Sequence, residues 1–254
     1  MIVPRLTLNF DTRQIGRTVL VFDQLTSTND VLVVGQHEPG TVIVADYQSA
    51  GRGQHGRVWI AQPKQSLLMS ILLEPRAELQ RPALLTAWAA VAMARTIKGL
   101  ANVTARIKWP NDLLVDGKKI CGILIEKTSH LAAGLGLNLN QSALDFERAG
   151  LPDATSIAML RGLTIESETA LATAIPHLDD AYIQLDGGDR TALETEWANG
   201  FDLLDRTVEA TETDGRVTVG RLRELRFDGI ELDTGSGYGG VVLQPESVRA
   251  LKGI

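Results

Sequence analysis

Short apolar, β-branched stretches at residues 18–22, 41–45, 67–73 and 105–109 predict strands, and a run of small and apolar residues at 131–140 predicts another. Ser27-Thr28-Asn29 stands just ahead of apolar residues 31–34, which is a helix N-cap signal. Residues 81–99 hold good helix formers, with a proline in the first turn and a glycine at the end. Residues 112–127 read as two strands joined by Asp116-Gly117, a dipeptide suited to a two-residue hairpin turn. Residues 166–185 and 191–198 predict helices, and Pro176 is expected to kink or break the first of them. Past residue 200 the pattern changes to short strands at 207–211, 216–227, 230–234 and 240–243, with Asp214-Gly215 and Asp228-Gly229 as turns. The expected fold class is α+β, with one domain over residues 1–200 and a small all-β domain over residues 201–254.

Composition narrows the class of protein. The chain of 254 residues is 44% hydrophobic and 22% charged, which excludes a disordered or collagenous chain and supplies a sizeable core. The net charge of −6 argues against a protein that works mainly by binding nucleic acid, although a local basic site remains compatible with it. The only cysteine is Cys121, so no intrachain disulfide forms and a reduced cytoplasmic setting is expected. His37, His55, His130 and His177 lie far apart without metal-ligand spacing. The N-terminus lacks a secretory signal. The longest apolar stretch, at 83–94, is too short for a membrane span of ~20 residues, so no membrane partner is expected.

Four segments are candidates for chemistry. Gly51-Arg52-Gly53-Gln54-His55-Gly56-Arg57 offers exposed backbone N–H groups and two guanidinium groups suited to carboxylate or phosphate; the same residues also fit a surface loop with solvated arginines. Lys108-Trp109-Pro110-Asn111-Asp112 runs into the hairpin. There Val115 is expected to pair with Lys118 and Leu114 with Lys119, so that Asp112, Leu114, Lys119 and Cys121 share one face unless a β-bulge reverses the parity. Lys119 then lies diagonally from Asp112, roughly 7–8 Å between backbones, while Lys118 is a solvated lysine at the hairpin tip. Ser27-Thr28-Asn29 is either a plain cap or a binding element. In Gly134-Leu135-Gly136-Leu137-Asn138-Leu139-Asn140, alternation puts both asparagines on the glycine face, leaving space for a flat ligand or for a close-packed backbone. Cys121, Trp88 and Trp197 read as core, and Trp59 and Trp109 as possible pocket walls. The glycine-rich stretch at 235–240 has no following helix and no Lys-Ser/Thr, and reads as a loop.

The order of these segments is specific. Ser27-Thr28-Asn29, then Tyr47-Gln48-Ser49-Ala50-Gly51-Arg52-Gly53, then Gly56-Arg57-Val58-Trp59, then residues 108–126 (KWPNDLLVDGKKICGILIE) and residues 134–140 (GLGLNLN) resemble the biotin protein ligases. Ala154-Thr155-Ser156-Ile157 is similar to the same family's pattern. The resemblance implies a mixed β-sheet flanked by helices, like that of class II aminoacyl-tRNA synthetases, followed by a small SH3-like β-barrel. It implies a two-step reaction in which biotin and MgATP give biotinyl-5′-adenylate, and the biotinyl group then passes to a lysine of a biotin carboxyl carrier protein or domain. Some relatives carry an N-terminal DNA-binding domain; about 20 residues precede the first expected strand here, so the form without that domain, and no DNA partner, is expected. The expected assembly is a monomer or homodimer.

By the same resemblance, Ser27, Thr28, Asn29, Gln48, Arg52, Gly53, Gln54 and Lys119 would form the biotin site. Arg52, Arg57, Trp59, Asn111, Asp112, Lys119 and Asn138 would serve ATP, and Lys119, Arg52 and Asp112 would be catalytic. Biotin's carboxylate is already ionised, so the first step needs charge stabilisation and positioning rather than a general base. Mg²⁺ would add a further cation. Many relatives have Arg-Arg where this chain has Gln54-His55, so the adenylate is expected to be held less tightly here. A lipoate or octanoate ligase and a non-catalytic biotin sensor are the rival readings.

Overall fold

The computed structural model describes residues 3–34, 37–235 and 240–254. Its larger sheet contains β1 (Leu6–Leu8), β2 (Val19–Leu25), β3 (Val42–Gln48), β4 (Ser66–Leu73), β5 (Arg106–Lys108), β6 (Asp112–Val115), β7 (Lys118–Lys127) and β8 (Leu131–Asn138), in the order 1-2-3-4-8-7-6-5. Only β2 and β3 run parallel, because helix α1 (Thr28–Val34) crosses between them; every other neighbouring pair is antiparallel. The sheet has two covered faces, and the strand residues sort between them by alternation. In β3, Val42 and Val44 enter the main core, while Ile43 and Ala45 enter a smaller one with Leu32 of α1.

Helix α2 (Pro82–Ala101) packs in the main core against a second long helix at Ser167–Asp186. Trp88 joins the two: its Nε1 donates to the Leu178 carbonyl at 3.0 Å, and its ring meets Tyr182 edge-on. The observed α2 is longer than the apolar stretch at its start suggests, and it is long and apolar enough to cross a membrane. It is a core helix, most of it buried inside the fold.

Three short elements absent from the sequence expectations precede the second long helix or open the chain: β1, α3 (Ala143–Arg148) and α4 (Ile157–Arg161). Ser142 and Asp145 form a reciprocal capping box at the start of α3. The long helix is then α5 (Ser167–Asp186), followed by α6 (Thr191–Gly200). Of the kink or break expected at Pro176, the break does not occur: α5 runs through it. Both Pro176 and Ala172, whose carbonyl loses its donor, face outward, where water can satisfy that oxygen.

The C-terminal β unit consists of β9 (Thr207–Glu212), β10 (Val217–Arg226), β11 (Gly229–Asp233), β12 (Val241–Leu243) and β13 (Val248–Gly253), in the antiparallel order 12-11-10-9-13. Residues 236–239 of the glycine-rich stretch lie outside the described residues. This unit is tied to the rest of the fold by side chains from several elements, including Glu194 of α6, which accepts from the Phe227 N–H. Trp109 Nε1 donates to the Val248 carbonyl at 2.7 Å, within an aromatic cluster of Trp109, Trp197, Phe201 and Phe227. Arg81 donates to both oxygens of Glu246 and to the Phe227 carbonyl. Trp109 therefore serves mainly to join the two sheets, with its ring largely buried.

Candidate active site

A cavity of about 920 Å³ opens on the α1 side of the larger sheet. Its floor is a glycine strip on the face opposite α2. Gly122 of β7 pairs with Gly136 of β8, and Leu124 with Gly134. The Trp59 ring lies on this strip: a Cβ at Gly136 would stand 2.7 Å from Trp59 Cε2, and one at Gly122 would stand 2.8 Å from Cζ3. Only residues without a Cβ allow the indole to approach so closely. The Trp59 Nε1 is buried and has no hydrogen-bond partner among the described residues.

One wall is polar and buried. Ser27, Thr28 and Asn29 are each 4% exposed, and Ser70 of β4 is fully buried. The Thr28 backbone N–H donates to Gln48 Oε1 at 2.7 Å. The Thr28 hydroxyl lies 3.0 Å from the same oxygen and 2.6 Å from Ser70 Oγ. Ser70 Oγ in turn contacts Asn29 Oδ1, and Asn29 Nδ2 donates to Glu126. The two hydroxyls bring two protons to three contacts among Gln48, Thr28, Ser70 and Asn29. Ser27 adds a hydroxyl and Gln48 Nε2 adds N–H groups, so the wall offers both acceptors and donors and suits a polar ligand head that carries N–H and C=O groups.

The glycine and arginine loop is a compact hairpin rather than an open strap. Arg52 and Val58 form an antiparallel bridge, and Gly53 N–H donates to the Arg57 carbonyl at 2.8 Å. Arg52 points back to the sheet, where Glu126 accepts from its Nε and Nη2 at 3.2 and 3.0 Å and Asp30 pairs with Nη1 at 2.9 Å. Burial opposes the charge on Glu126, but hydrogen bonds from Arg52 and Asn29 outweigh it and hold that carboxyl below its ordinary value. Gly53, Gln54 and Arg57 also line the cavity. Arg57 is exposed and makes no ion pair with the described residues.

The hairpin forms with its turn as expected: Asp116 and Gly117 both have positive φ, at 49° and 77°. Val115 pairs with Lys118 and Leu114 with Lys119. The register then shifts, so that Leu113 faces Cys121 and Asp112 faces Gly122, with Ile120 as the extra residue. This corrects the expected face for Cys121. It points into the core beside Leu113, both fully buried, and burial pushes its thiol well above the ordinary range. Lys119 stays on the cavity side, with Nζ 2.6 Å from Asp112 Oδ1 and 5.6 Å from the centre of the Trp59 ring. Its backbone is clamped by the segment before α4: Lys119 N–H donates to the Asp153 carbonyl, and Thr155 N–H donates to the Lys119 carbonyl.

Asparagines anticipated as ligand groups are largely engaged by the protein. Asn138 Nδ2 donates to the Thr155 carbonyl at 3.0 Å, and its Oδ1 accepts from Gln141. Asn111 Nδ2 donates to the Ile123 carbonyl at 2.7 Å. Both line the cavity, but they act by holding Lys119 and the strip in place. Asn140 instead brackets the backbone of Ile165.

The local charge is opposite to that of the whole chain. Arg52, Arg57, Lys108, Lys119 and Arg249 line the cavity together with Asp112 and Asp153, and Glu126 and Asp30 pair with Arg52 beside it. A site of this kind concentrates anions and stabilises negative charge at reacting atoms. Among the described residues no cluster of three or more His, Cys, Asp or Glu side chains could hold a metal ion.

Residues 21–139 match the model of the Biotin/lipoate A/B protein ligase family. The chain carries a domain of that family. The chain is 37% identical over 214 residues to the bifunctional ligase/repressor BirA of Bacillus subtilis, covering 79% of this chain and 66% of that protein. It is 33% identical over 155 residues to the biotin–[acetyl-CoA-carboxylase] ligase of Mycobacterium tuberculosis, covering 56% of this chain and 55% of that one. The chain thus spans about two thirds of the first of these relatives and less of the second. A solved structure of the biotin protein ligase of Aquifex aeolicus in complex with biotin and ATP superposes with a TM-score of 0.80 over 93% of this chain and 99% of that one, at 22% identity. The mixed sheet flanked by helices, with a C-terminal β unit, is therefore the fold of that protein too.

The candidate segments at 27–29, 47–59, 108–126 and 134–140 all contribute to the cavity lining, whereas Ser70, the stretch 146–153 and Arg249, together with Glu126 beside the cavity, were not expected from the sequence. Ser70 had a readable signal, a lone polar residue inside an otherwise apolar strand interior. Glu126 and Arg249 had none, because their relation to the cavity arises only from distant strands meeting.

Proposed function

We propose that this chain activates biotin with ATP to biotinyl-5′-adenylate and passes the biotinyl group to a lysine of a biotin carboxyl carrier domain. The observation that carries this reading is the pairing, in one cavity, of a buried polar wall that offers both acceptors and donors with a cluster of cations. Biotin has a ureido head that brings N–H donors and a carboxylate tail that needs cations. The names of relatives, biotin–[acetyl-CoA-carboxylase] ligases, support the carrier as acceptor. Residues 1–200 would form the catalytic domain and residues 201–254 a second domain that contributes Arg249 to the cavity. A cytoplasmic location follows from the same reading.

In the first step a carboxylate oxygen of biotin attacks the α-phosphorus of ATP, the new C–O–P link forms, and pyrophosphate leaves. Two anions must meet, so Arg52 and Lys119 act by neutralising charge and by orientation. Ser27, Thr28, Asn29 and Gln48 hold the ureido head. Trp59 walls the middle of the cavity, and Arg57 and Asn111 stand on the nucleotide side. Gly53 and Gln54 close the loop side and limit water around the reactive anhydride. In the second step the acceptor amine attacks the acyl carbon and AMP leaves with the bridging oxygen; Asp112 is placed to accept the amine's proton. A magnesium ion carried by the nucleotide fits this donor set better than a protein-held one, since such an ion needs only one or two carboxylates and Asp112 faces the cavity. When bound it would neutralise phosphate charge.

A lipoate ligase is the rival. Its ligand's dithiolane ring brings neither N–H nor C=O groups, so it would cover the polar wall, including the Ser27 hydroxyl and the Gln48 amide N–H groups, without replacing the water it displaces, and such mismatches discriminate strongly. The test is mass spectrometry of a carrier domain after incubation with the protein, MgATP and either biotin or lipoate. Addition of one biotinyl group and no lipoyl group is expected. Lipoyl transfer in preference to biotinyl transfer, or no transfer of either, would overturn the reading.

A further inference from the structure

Glu126 lies at the end of the cavity-facing row Gly122, Leu124, Glu126 on β7, and it borders the outer side of the arginine loop. Its two oxygens receive three donors from two other parts of the chain. Arg52 of the loop supplies Nε and Nη2, and Asn29 of α1 supplies Nδ2. Asp30, next to Asn29, takes Arg52 Nη1. The remaining guanidinium N–H groups stay available for an anion. The other end of the Asn29 amide is held by Ser70 in the polar wall. A single connected chain of contacts therefore runs from the wall, through Asn29 and Glu126, to the arginine at the anionic end.

We propose that Glu126 is a positioning residue that fixes the spacing between the polar wall and Arg52, so that the head and carboxylate of one ligand are read together. The proposal rests on the reading that the cavity takes biotin. An unanchored arginine on a loop must lose side-chain freedom when it binds. Glu126 and Asp30 impose that order beforehand, and the amide orientation of Asn29 is set by the same carboxylate, which accepts only donors. Removing the negative charge at Glu126 leaves Arg52 with Asp30 alone and frees the Asn29 amide to turn.

The test is a double-mutant cycle on biotin binding, measured by calorimetry with the full chain for wild type, Glu126→Gln, Arg52→Ala and the double variant. Glu126→Gln is expected to weaken binding roughly ten-fold, while in the Arg52→Ala background it adds no more than about a two-fold loss, because residues that act through one another are not additive. Glu126→Asp, which restores the charge, is expected to recover part of the affinity. Equal losses from Glu126→Gln in both backgrounds, or no loss in either, would overturn the proposal. If Glu126→Gln does not fold, the same cycle run with Glu126→Asp decides it by the same criterion. Failure of wild type to bind biotin at all would instead count against the proposed function.

Discussion

Lys119 Nζ stands 2.6 Å from Asp112 Oδ1, across a hairpin whose register shifts between the two residues. The shift lets Ile120 and Cys121 both enter the core while Lys119 keeps its cavity face. A cation is thereby held at the cavity edge by one carboxylate, one aromatic face and a clamped backbone.

Removing that cation tests its role. Lys119→Gln is expected to lower pyrophosphate release with biotin and MgATP by about 10²–10³-fold, the range for losing one charge-stabilising donor at a reacting centre. The lysine is partly exposed and belongs to no hydrophobic cluster, so the melting temperature should hold. Near-normal turnover in the variant would rule out charge stabilisation by this residue.

The glycine strip makes a steric prediction. Gly136→Ala sets a Cβ against the Trp59 ring, with Gly122 beneath the same indole, so the ring must lift. Overpacking of this kind costs about 1–3 kcal/mol. The expected signature is a change in tryptophan emission together with a raised KM for ATP. An unchanged spectrum and KM would show that Trp59 does not depend on the strip.

Gln54 lines the cavity where a guanidinium would bind an anion more strongly than a neutral amide. Gln54→Arg is therefore expected to lengthen the lifetime of bound biotinyl-adenylate, followed by rapid filtration of labelled intermediate. An equal or shorter lifetime in the variant speaks against weak retention by the native loop.

Cys121 lies within the core beneath the hairpin, and burial raises its thiol well above the ordinary value. The folded protein is expected to resist alkylation by iodoacetamide at pH 8 and to keep full activity, while the unfolded chain reacts. Rapid modification with loss of activity would place the thiol in the cavity, contrary to its pairing with Leu113.

Much of the fold was legible locally. The hairpin turn needed two residues that tolerate positive φ, and Asp116-Gly117 announced it. Strands β2 to β8 of the larger sheet were visible as apolar runs because each buries at least one face. The short strands β1 and β13 were not visible, since their pairing depends on partners supplied by β2 and β9. Pro176 does not break α5 because the carbonyl that loses its donor faces outward, a circumstance the local sequence does not reveal.

By itself the sequence determined the chemistry on offer: two arginines in a glycine loop, a lysine past a tight turn, a cluster of small polar residues at a helix start, and a glycine-bearing strand. Tertiary structure alone decided which of these face one another. Glu126 meets Arg52 across 74 residues, and Ser70 meets Asn29 across 41. A single bulge decided which side of β7 carries Lys119 and which carries Cys121. Side-chain type is a property of position in the chain, but parity, register and long-range pairing are settled only when strands dock and bury their faces together.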